Sequence, residues 1–377
     1  MPGKRNKTRR RGMALIVVLI VIMAITVLSM GFLSRSDVEL ACGENMILKT
    51  QMDYLAESAL EHAKGLILNP QDVASEYWAG AEDQQLVAGS DDYYDVNVAK
   101  LGELNYRITS TAHREKGGEQ IGSSSLTAEL RLDPYIAYWQ SGDQPISSQV
   151  TITGDVYCNS NLVIGGVVNG DAYANGSIAG NAIGQEYANV SSPPVSLPGL
   201  VYSDFDSTYY IGSTQYSVGI IGAADLNDIT LGPTAGNPAG IYYYDGALNL
   251  RGNIYITGML VVRTDLLLGN NANATITAVK NFPALLVGQN IIMLNNNLTL
   301  SITGFAQVDG HIDMDNSSRI TVLGALYVLG GGITNTIGCI VDITAAPDKA
   351  AIEIWPEPGT AQRWSPAAGA FFKGIER

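Results

Sequence analysis

The sequence predicts an α+β chain: a long N-terminal transmembrane helix, a small antiparallel sheet, then a parallel β-helix, or solenoid. Three observations carry that expectation. Met13 to Leu33 runs for 21 residues without a charged side chain. Strand-like alternation then occurs three times between residues 93 and 133. From residue 148 onward, short Leu-rich and β-branched runs, punctuated by Gly and Asn, recur every 16 to 24 residues.

Charge bounds the partners. The first twelve residues carry Lys4, Arg5, Lys7, Arg9, Arg10 and Arg11 and no acid. The remainder holds 16 basic against 36 acidic residues, a balance of −20. Binding a polyphosphate needs basic surface to displace its counterions, so nucleic acid is not an expected partner. The basic tip instead reads as a topology signal that keeps the N-terminus in the cytoplasm. The remainder would then be periplasmic or extracellular.

A helix of 21 residues is about 30 Å long, the thickness of a bilayer core. No proline interrupts the chain after it until Pro70. Met52, Leu55, Ala59, Ala63 and Leu66 recur at spacings of three and four, which places them on one helical face. The expectation is one helix over 13–68, half in lipid and half in water, with Gly43 a weak point. Residues 69–93 show no period and read as a surface connection. YYDVNVAKL, ELNYRITSTA and SSLTAELRLD then alternate and form the small sheet, so 69–134 is one unit.

Internal repeats define 135–345. TGDVYCNSNLVIG aligns with NGDAYANGSIAG at a period of 16, placing Gly154 on Gly170 and Tyr157 on Tyr173. SITGFAQVDGHI aligns with TVLGALYVLGGGI at a period of 20, placing Gly304 on Gly324. Gly288 falls on Gly310 at a period of 22. Each coil of a solenoid buries its inward side chains on its neighbours. Gly and Asn suit the corners, where φ is often positive. Asn295, Asn296 and Asn297 suggest amide ladders between coils. Residues 190–245 read as an insertion. An antiparallel sandwich is the competing fold, but tight hairpin signals are few. Residues 346–377, with Trp355, Trp364, Phe371 and Phe372, read as a cover for an open end of the solenoid or as a partner-binding tail.

Chemistry is sparse. Asp309, His311, Asp313 and Asp315 alternate with Val308, Ile312 and Met314, which on a strand puts four polar groups on one outer face. They are the candidate metal ligands, or carboxylates for glycan chemistry. The simpler reading is a solvated strand face. Arg263 and Asp265 stand nearly alone and Lys280 falls at a turn. No cofactor is expected. Cys42, Cys158 and Cys339 are too few for a disulfide framework, with a Cys158–Cys339 bridge left open.

The N-terminal segment carries a resemblance. A short basic leader (residues 1–12) ending in Gly12, then MALIVVLIVIMAITVLSM, resembles the start of a type IV pilin or pseudopilin. Tyr54–Leu55–Ala56–Glu57, within DYLAESALEHAKGLI, resembles the helix of minor pilins of the PilX type. The resemblance implies cleavage between Gly12 and Met13 by a prepilin peptidase, with methylation of the new N-terminus. It also implies storage in the inner membrane, then contact with an assembly platform and other pilin subunits. Most pilins carry a glutamate where Val17 stands, and that carboxylate meets a neighbour's amine inside the filament. An unpaired charge in an apolar core is costly. A subunit with Val17 suits the tip, where no subunit ahead needs a partner. The implied function is a non-catalytic minor pilin or pseudopilin of a type IV pilus or type II secretion-like filament, acting in assembly initiation or adhesion. The alternatives are a membrane-anchored β-helical protein that binds or cleaves carbohydrate, and a self-polymerising scaffold of the bactofilin sort.

Overall fold

The computed structural model describes residues 9–69 and 78–376, and side chains from Met13 onward. The leader up to Thr8 and the 70–77 part of the connection lie outside the described residues.

Helix α1 spans Arg9–Leu68, 60 residues, without a break at Gly43. Its halves differ in what they touch. Every side chain from Met13 to Ile47 is exposed. The one threonine of that apolar stretch, Thr26, donates its hydroxyl to the carbonyl of Ile22 at 2.8 Å, so it brings no unsatisfied polar group into lipid. From Met52 on, one face is buried, with Ala56, Ala59 and Ala63 fully so. These alanines occupy the expected face, and their small side chains let a sheet approach the helix backbone.

That sheet is antiparallel. Its strands are β1 (Gly80–Gln84), β2 (Asp92–Gly102), β3 (Asn105–Lys116) and β4 (Glu119–Leu132), followed in space by the C-terminal strand Ala370–Glu376. Tyr94, Val96, Ile108, Leu126 and Leu130 face the helix and are buried. Tyr94 Oη and His62 Nδ1 lie 3.0 Å apart, and Ser124 donates to Asp53, so polar contacts flank the apolar seam. Two expectations change here. β1 falls within the stretch read as a connection. It is a polar edge strand with Asp83 at positive φ, which hides the alternation. The C-terminal residues do not end as a tail: Ala370 pairs with Leu132 and Phe372 with Leu130. The solenoid is therefore inserted between two adjacent strands of one sheet.

The solenoid has about ten turns of parallel strands. It rules out the sandwich. Its coils do not follow chain order. Strand Ile136–Gln140 pairs on one side with Asp155–Cys158 and on the other with residues 326–328. The chain enters at the middle and winds outward through Ala172–Ala174 to Glu186–Tyr187. It then crosses outside and starts again at the far end, at Gly219–Ile220. It returns through Ile241–Tyr244, Met259–Val262, Leu285–Val287 and residues 306–308. The insertion expected over 190–245 is shorter, because Gly219–Tyr244 already pairs in register with later coils.

The periods of 16 and 20 are those of the observed ladders, with Tyr157 on Tyr173 and Gly304 on Gly324. The alignment of Gly288 with Gly310 is one residue out: Ile291 pairs with Ile312, a period of 21. The period of 21 holds on both sides of that corner, Leu285 on Ala306 and Ile291 on Ile312, so Gly288 stands opposite Asp309 and not Gly310. Inside, Leu260, Leu285, Ala306, Leu326, Tyr138 and Val156 stack as one buried row. Corners carry a second ladder. Asp155 accepts the Asp171 N–H at 2.8 Å, and Asp171 accepts the Gln185 N–H at 2.7 Å. Asp265 and Asn290 do the same for the N–H groups of Asn290 and His311. Each side chain supplies the acceptor that a turned backbone lacks. Of the Asn295–Asn297 cluster, Asn295 makes an amide rung, donating to Asn270 at 3.2 Å.

Two glycines test this architecture in opposite directions. Gly324 has φ +144, and a Cβ there would sit 2.1 Å from the Gly304 carbonyl oxygen. Gly43 lies mid-helix with open space around it. Gly324→Ala is expected to cost about 2 kcal/mol or more, from strain and displaced backbone. Gly43→Ala is expected to stabilise by about 1 kcal/mol. Denaturant unfolding of the detergent-solubilised chain reads both, and equal midpoints for the two variants would contradict the assignment.

Candidate functional site

Three features bear on function: the N-terminal junction, the Asp309 region and the outer faces of the solenoid.

Gly12 lies within α1, one residue before the apolar run. Met13 is 68% exposed and Val17 54% exposed. No charged side chain lies between Met13 and Leu33. The first charge after that run, Arg35, pairs with Glu39 at 2.9 Å one turn on, both side chains exposed. Such a pair is worth only a few tenths of a kcal/mol. The helix is long and apolar enough for a single membrane crossing.

The Asp309 row does not converge. A corner falls between Val308 and Ile312, which turns Asp309 away from the others. Asp309 accepts hydrogen bonds from the Tyr202 hydroxyl and from Gln307 Nε2, the latter at 2.8 Å. Burial first, and then the Asp309 carboxylate, push the Tyr202 phenol up to about 12, so it stays a donor. His311 Nε2 lies 3.0 Å from Asp313 Oδ2. Asp315 takes the Asn316 N–H at 2.8 Å. Among the described residues, no three His, Cys, Asp or Glu side chains gather in a way that could hold a metal ion. Asp309 instead ties the crossover to the column. Arg263 pairs with Asp245 at 2.6 Å, Asp265 holds Asn290, and Lys280 sits at a turn with positive φ. Cys158 and Cys339 are both buried and both free. Cys339 Sγ donates to the Asp315 carbonyl at 3.1 Å. Cys42 is exposed on α1.

The outer faces differ from one another. On one, Tyr327, Trp139, Tyr157, Tyr173 and Tyr187 form an outward ladder. Trp139 and Tyr157 centroids are 4.3 Å apart, and Trp364 closes over Phe305 and Tyr327 at 4.9 and 5.6 Å. Trp364 Nε1 donates to the Ser196 carbonyl at 2.7 Å, so the antiparallel hairpin of Ile352–Glu357 and Thr360–Trp364 and the crossover cover this side together. The C-terminal segment thus covers a flank, not an open end. Aromatic rings give this row a broad apolar area to cover, and Trp364 packs edge-on against Phe305 and Tyr327.

A second face is open. Thr275, Ser301, Thr321, Asp342 and Thr151 make one outward row. Thr277, Thr303, Leu323, Thr344 and Thr153 make the next. Between them the isoleucines and Val322 point inward and are buried. Sequence reading missed these rows, although their signal was legible. The tripeptides TIT, SIT and DIT recur at 151, 275, 301 and 342.

No family model and no curated relative matches the chain. Among solved structures, the competence-associated pilin ComZ from Thermus thermophilus matches over 87% of this chain and 96% of its own. The identity is 9% and the TM-score 0.34. The ice-binding protein LeIBP from an Arctic yeast matches over 57% of this chain and 94% of its own, with 12% identity and a TM-score of 0.28. The DUF3494 domain of a Shewanella frigidimarina ice-binding protein covers 56% of this chain and 95% of its own. Its identity is 17% and its TM-score 0.23.

Asp155, at the joint where the chain enters the solenoid, has a measurable consequence. It accepts the Tyr135 and Asp171 N–H groups at 2.7 and 2.8 Å. Burial nevertheless dominates and pushes its carboxyl up to about 6. A raised folded pKa means that stability is fully present below the unfolded value near 4 and is lost as pH rises through about 6. The wild type is expected to gain up to about 3 kcal/mol between pH 7 and pH 4 relative to Asp155→Asn. Parallel thermal melts of the two proteins across that range check it, and a constant difference would remove Asp155 as the cause.

Proposed function

We propose that this chain is a non-catalytic minor pilin or pseudopilin of a type IV pilus or type II secretion-like filament. It is made with a leader that a prepilin peptidase removes between Gly12 and Met13. The observation that carries the reading is the division of α1. One half is apolar and touches nothing else in the chain, while the other half forms the core of a small antiparallel sheet. A helix built this way serves first as an inner-membrane anchor and then as an inward-facing strut among other subunits. The N-terminus would be cytoplasmic and the sheet and solenoid periplasmic or extracellular. Partners would be the peptidase, the assembly platform, other pilin subunits and the bilayer.

Two features of the chain favour a position at the tip. Val17 offers no carboxylate to a neighbour's amine. The solenoid inserted between β4 and the C-terminal strand is also far larger than the sheet that carries it, and would collide with lateral neighbours if repeated along a shaft. At a tip it projects freely, for assembly initiation or adhesion. Carbohydrate cleavage has less support, because Asp309 is turned away from His311 and Asp313 and already bonded to Tyr202 and Gln307.

Mass spectrometry of the chain, expressed with and without a prepilin peptidase, tests the reading. The expected product begins at Met13, carries a methyl group and depends on the enzyme. A chain that keeps Arg9 to Arg11 under both conditions would make α1 a plain anchor. Val17→Glu tests the tip: terminal label against the solenoid on purified filaments is expected for the wild type, with increased label along the shaft for the variant. Uniform shaft label for the wild type would overturn the tip position.

A further inference from the structure

The open solenoid face presents its hydroxyls as a lattice. Parallel strands lie about 4.8 Å apart, and alternate residues along a strand are roughly 6.6 Å apart. The two rows therefore set hydroxyls and methyl groups on a flat grid across five neighbouring coils. Residues 299–303 pair with 319–323 without a bulge, and the same register continues through 341–344 to Val150–Thr153. Buried Ile276, Ile302, Val322, Ile343 and Ile152 beneath the grid hold it rigid. Among the described residues, the grid's Thr and Ser hydroxyls have no hydrogen-bond partner within the chain. At the corner that follows Thr153, by contrast, Asp155 is engaged by the Tyr135 and Asp171 N–H groups.

We propose that this face binds the surface of a neutral polysaccharide whose chains pack side by side. Flatness argues against a small soluble ligand, since such ligands bind in concave sites. Charge argues against acidic glycans. The mature part of the chain has a balance of −20, and the one acid of the grid, Asp342, lies 3.7 Å from Arg319. The interruptions are informative too. Tyr255 continues the first row at its edge and is 47% exposed, and Leu323 breaks the second and is 37% exposed. A purely hydroxylic lattice, such as ordered water, would be spoiled by them. Sugar chains alternate hydroxyl edges with C–H faces, so an exposed ring and an apolar patch among hydroxyls match them. Because the face is preformed, little ordering cost opposes contact.

The full-length chain in mild detergent, mixed with microcrystalline cellulose and with crystalline chitin, tests this. The wild type is expected to sediment with at least one of them, and soluble oligosaccharides of the same sugar should compete poorly. Thr277→Lys and Thr303→Lys project a charge from the grid and should cut retention about tenfold or more. The double change Thr277→Val with Thr303→Val keeps shape and should cut it several-fold, at an unchanged melting temperature. Asn295→Lys, away from the grid, should bind as wild type. No sedimentation of the wild type with either solid overturns the proposal, as does equal retention of the grid variants. Incorporation into growing ice without retention on the glycans would reassign the face to a water lattice. The assay uses uncleaved chain and no filament, so its failure is distinct from a failure of the pilin reading.

Discussion

The parallel pairing of residues 138–140 with 326–328 is the contact on which the rest of the structure depends. It joins the first coil of the solenoid to the last, nearly two hundred residues later in the chain. With the neighbouring pairing of 341–344 and 150–153, it joins what would otherwise be two short columns, each with two exposed edges. With it there is one column with a continuous buried row from Leu260 through Leu326 and Tyr138 to Val156. Large side chains concentrate at this seam. Tyr135, Tyr138, Trp139 and Tyr327 are all fully or almost fully buried. The Tyr135 hydroxyl donates to the Gly324 carbonyl at 3.4 Å, across the two halves. A seam whose parts are so distant in sequence gains little from local propensity, so it needs a large area of buried apolar surface to offset the loop-closure entropy.

The seam also decides how the solenoid attaches. Because the chain both enters and leaves at the middle of the column, the entry and exit strands run side by side. Tyr135 bridges Ala367, and Asp133 N–H reaches the Gly369 carbonyl at 3.2 Å. The C-terminal strand is thereby delivered to β4, where Ala370 meets Leu132. A solenoid wound in chain order would end far from where it began and could not return a strand to the sheet so directly. The crossover is the cost of this arrangement, and the aromatic flank accommodates it: Tyr202 on Asp309 and Ser196 under Trp364 hold its course.

What could be read from sequence follows a physical division between local and nonlocal signals. The helix was legible because lipid burial and a helical face both write periodic patterns over tens of residues. The small sheet was legible in β2, β3 and β4, whose alternation reflects one face against α1. The polar edge strand β1 was not. Coil repeats such as Gly304 on Gly324 were legible because equivalent corners impose equivalent backbone strain. The coil order was not, since any solenoid coil presents much the same pattern to either neighbour, and the pairings that join 138–140 to 326–328 and 150–153 to 341–344 are nonlocal. The Asp309 row had the right alternation but contains a corner that alternation cannot register. The hydroxyl rows were visible as TIT and DIT, yet their meaning depends on register between strands 20 to 26 residues apart and, at Asp342 and Thr151, nearly two hundred apart.

These constraints also separate the roles of the two ends of the molecule. Load applied along α1 would pass through Ala56, Ala59 and Ala63 into the sheet, and from β4 and the C-terminal strand into the middle of the column. Two adjacent strands, hydrogen-bonded over several residues, share that load, whereas a single tether would swivel. The solenoid is held at its midpoint, and its open hydroxyl face belongs to the same strands, 319–323 and 340–345, that abut the joint. A surface contact made there is transmitted to the helix through paired backbone and not through a flexible linker. An apolar helix segment that packs on nothing else in the chain, a double-stranded connection and a polar face of paired strands form one mechanical path from the N-terminal helix to the open side of the solenoid.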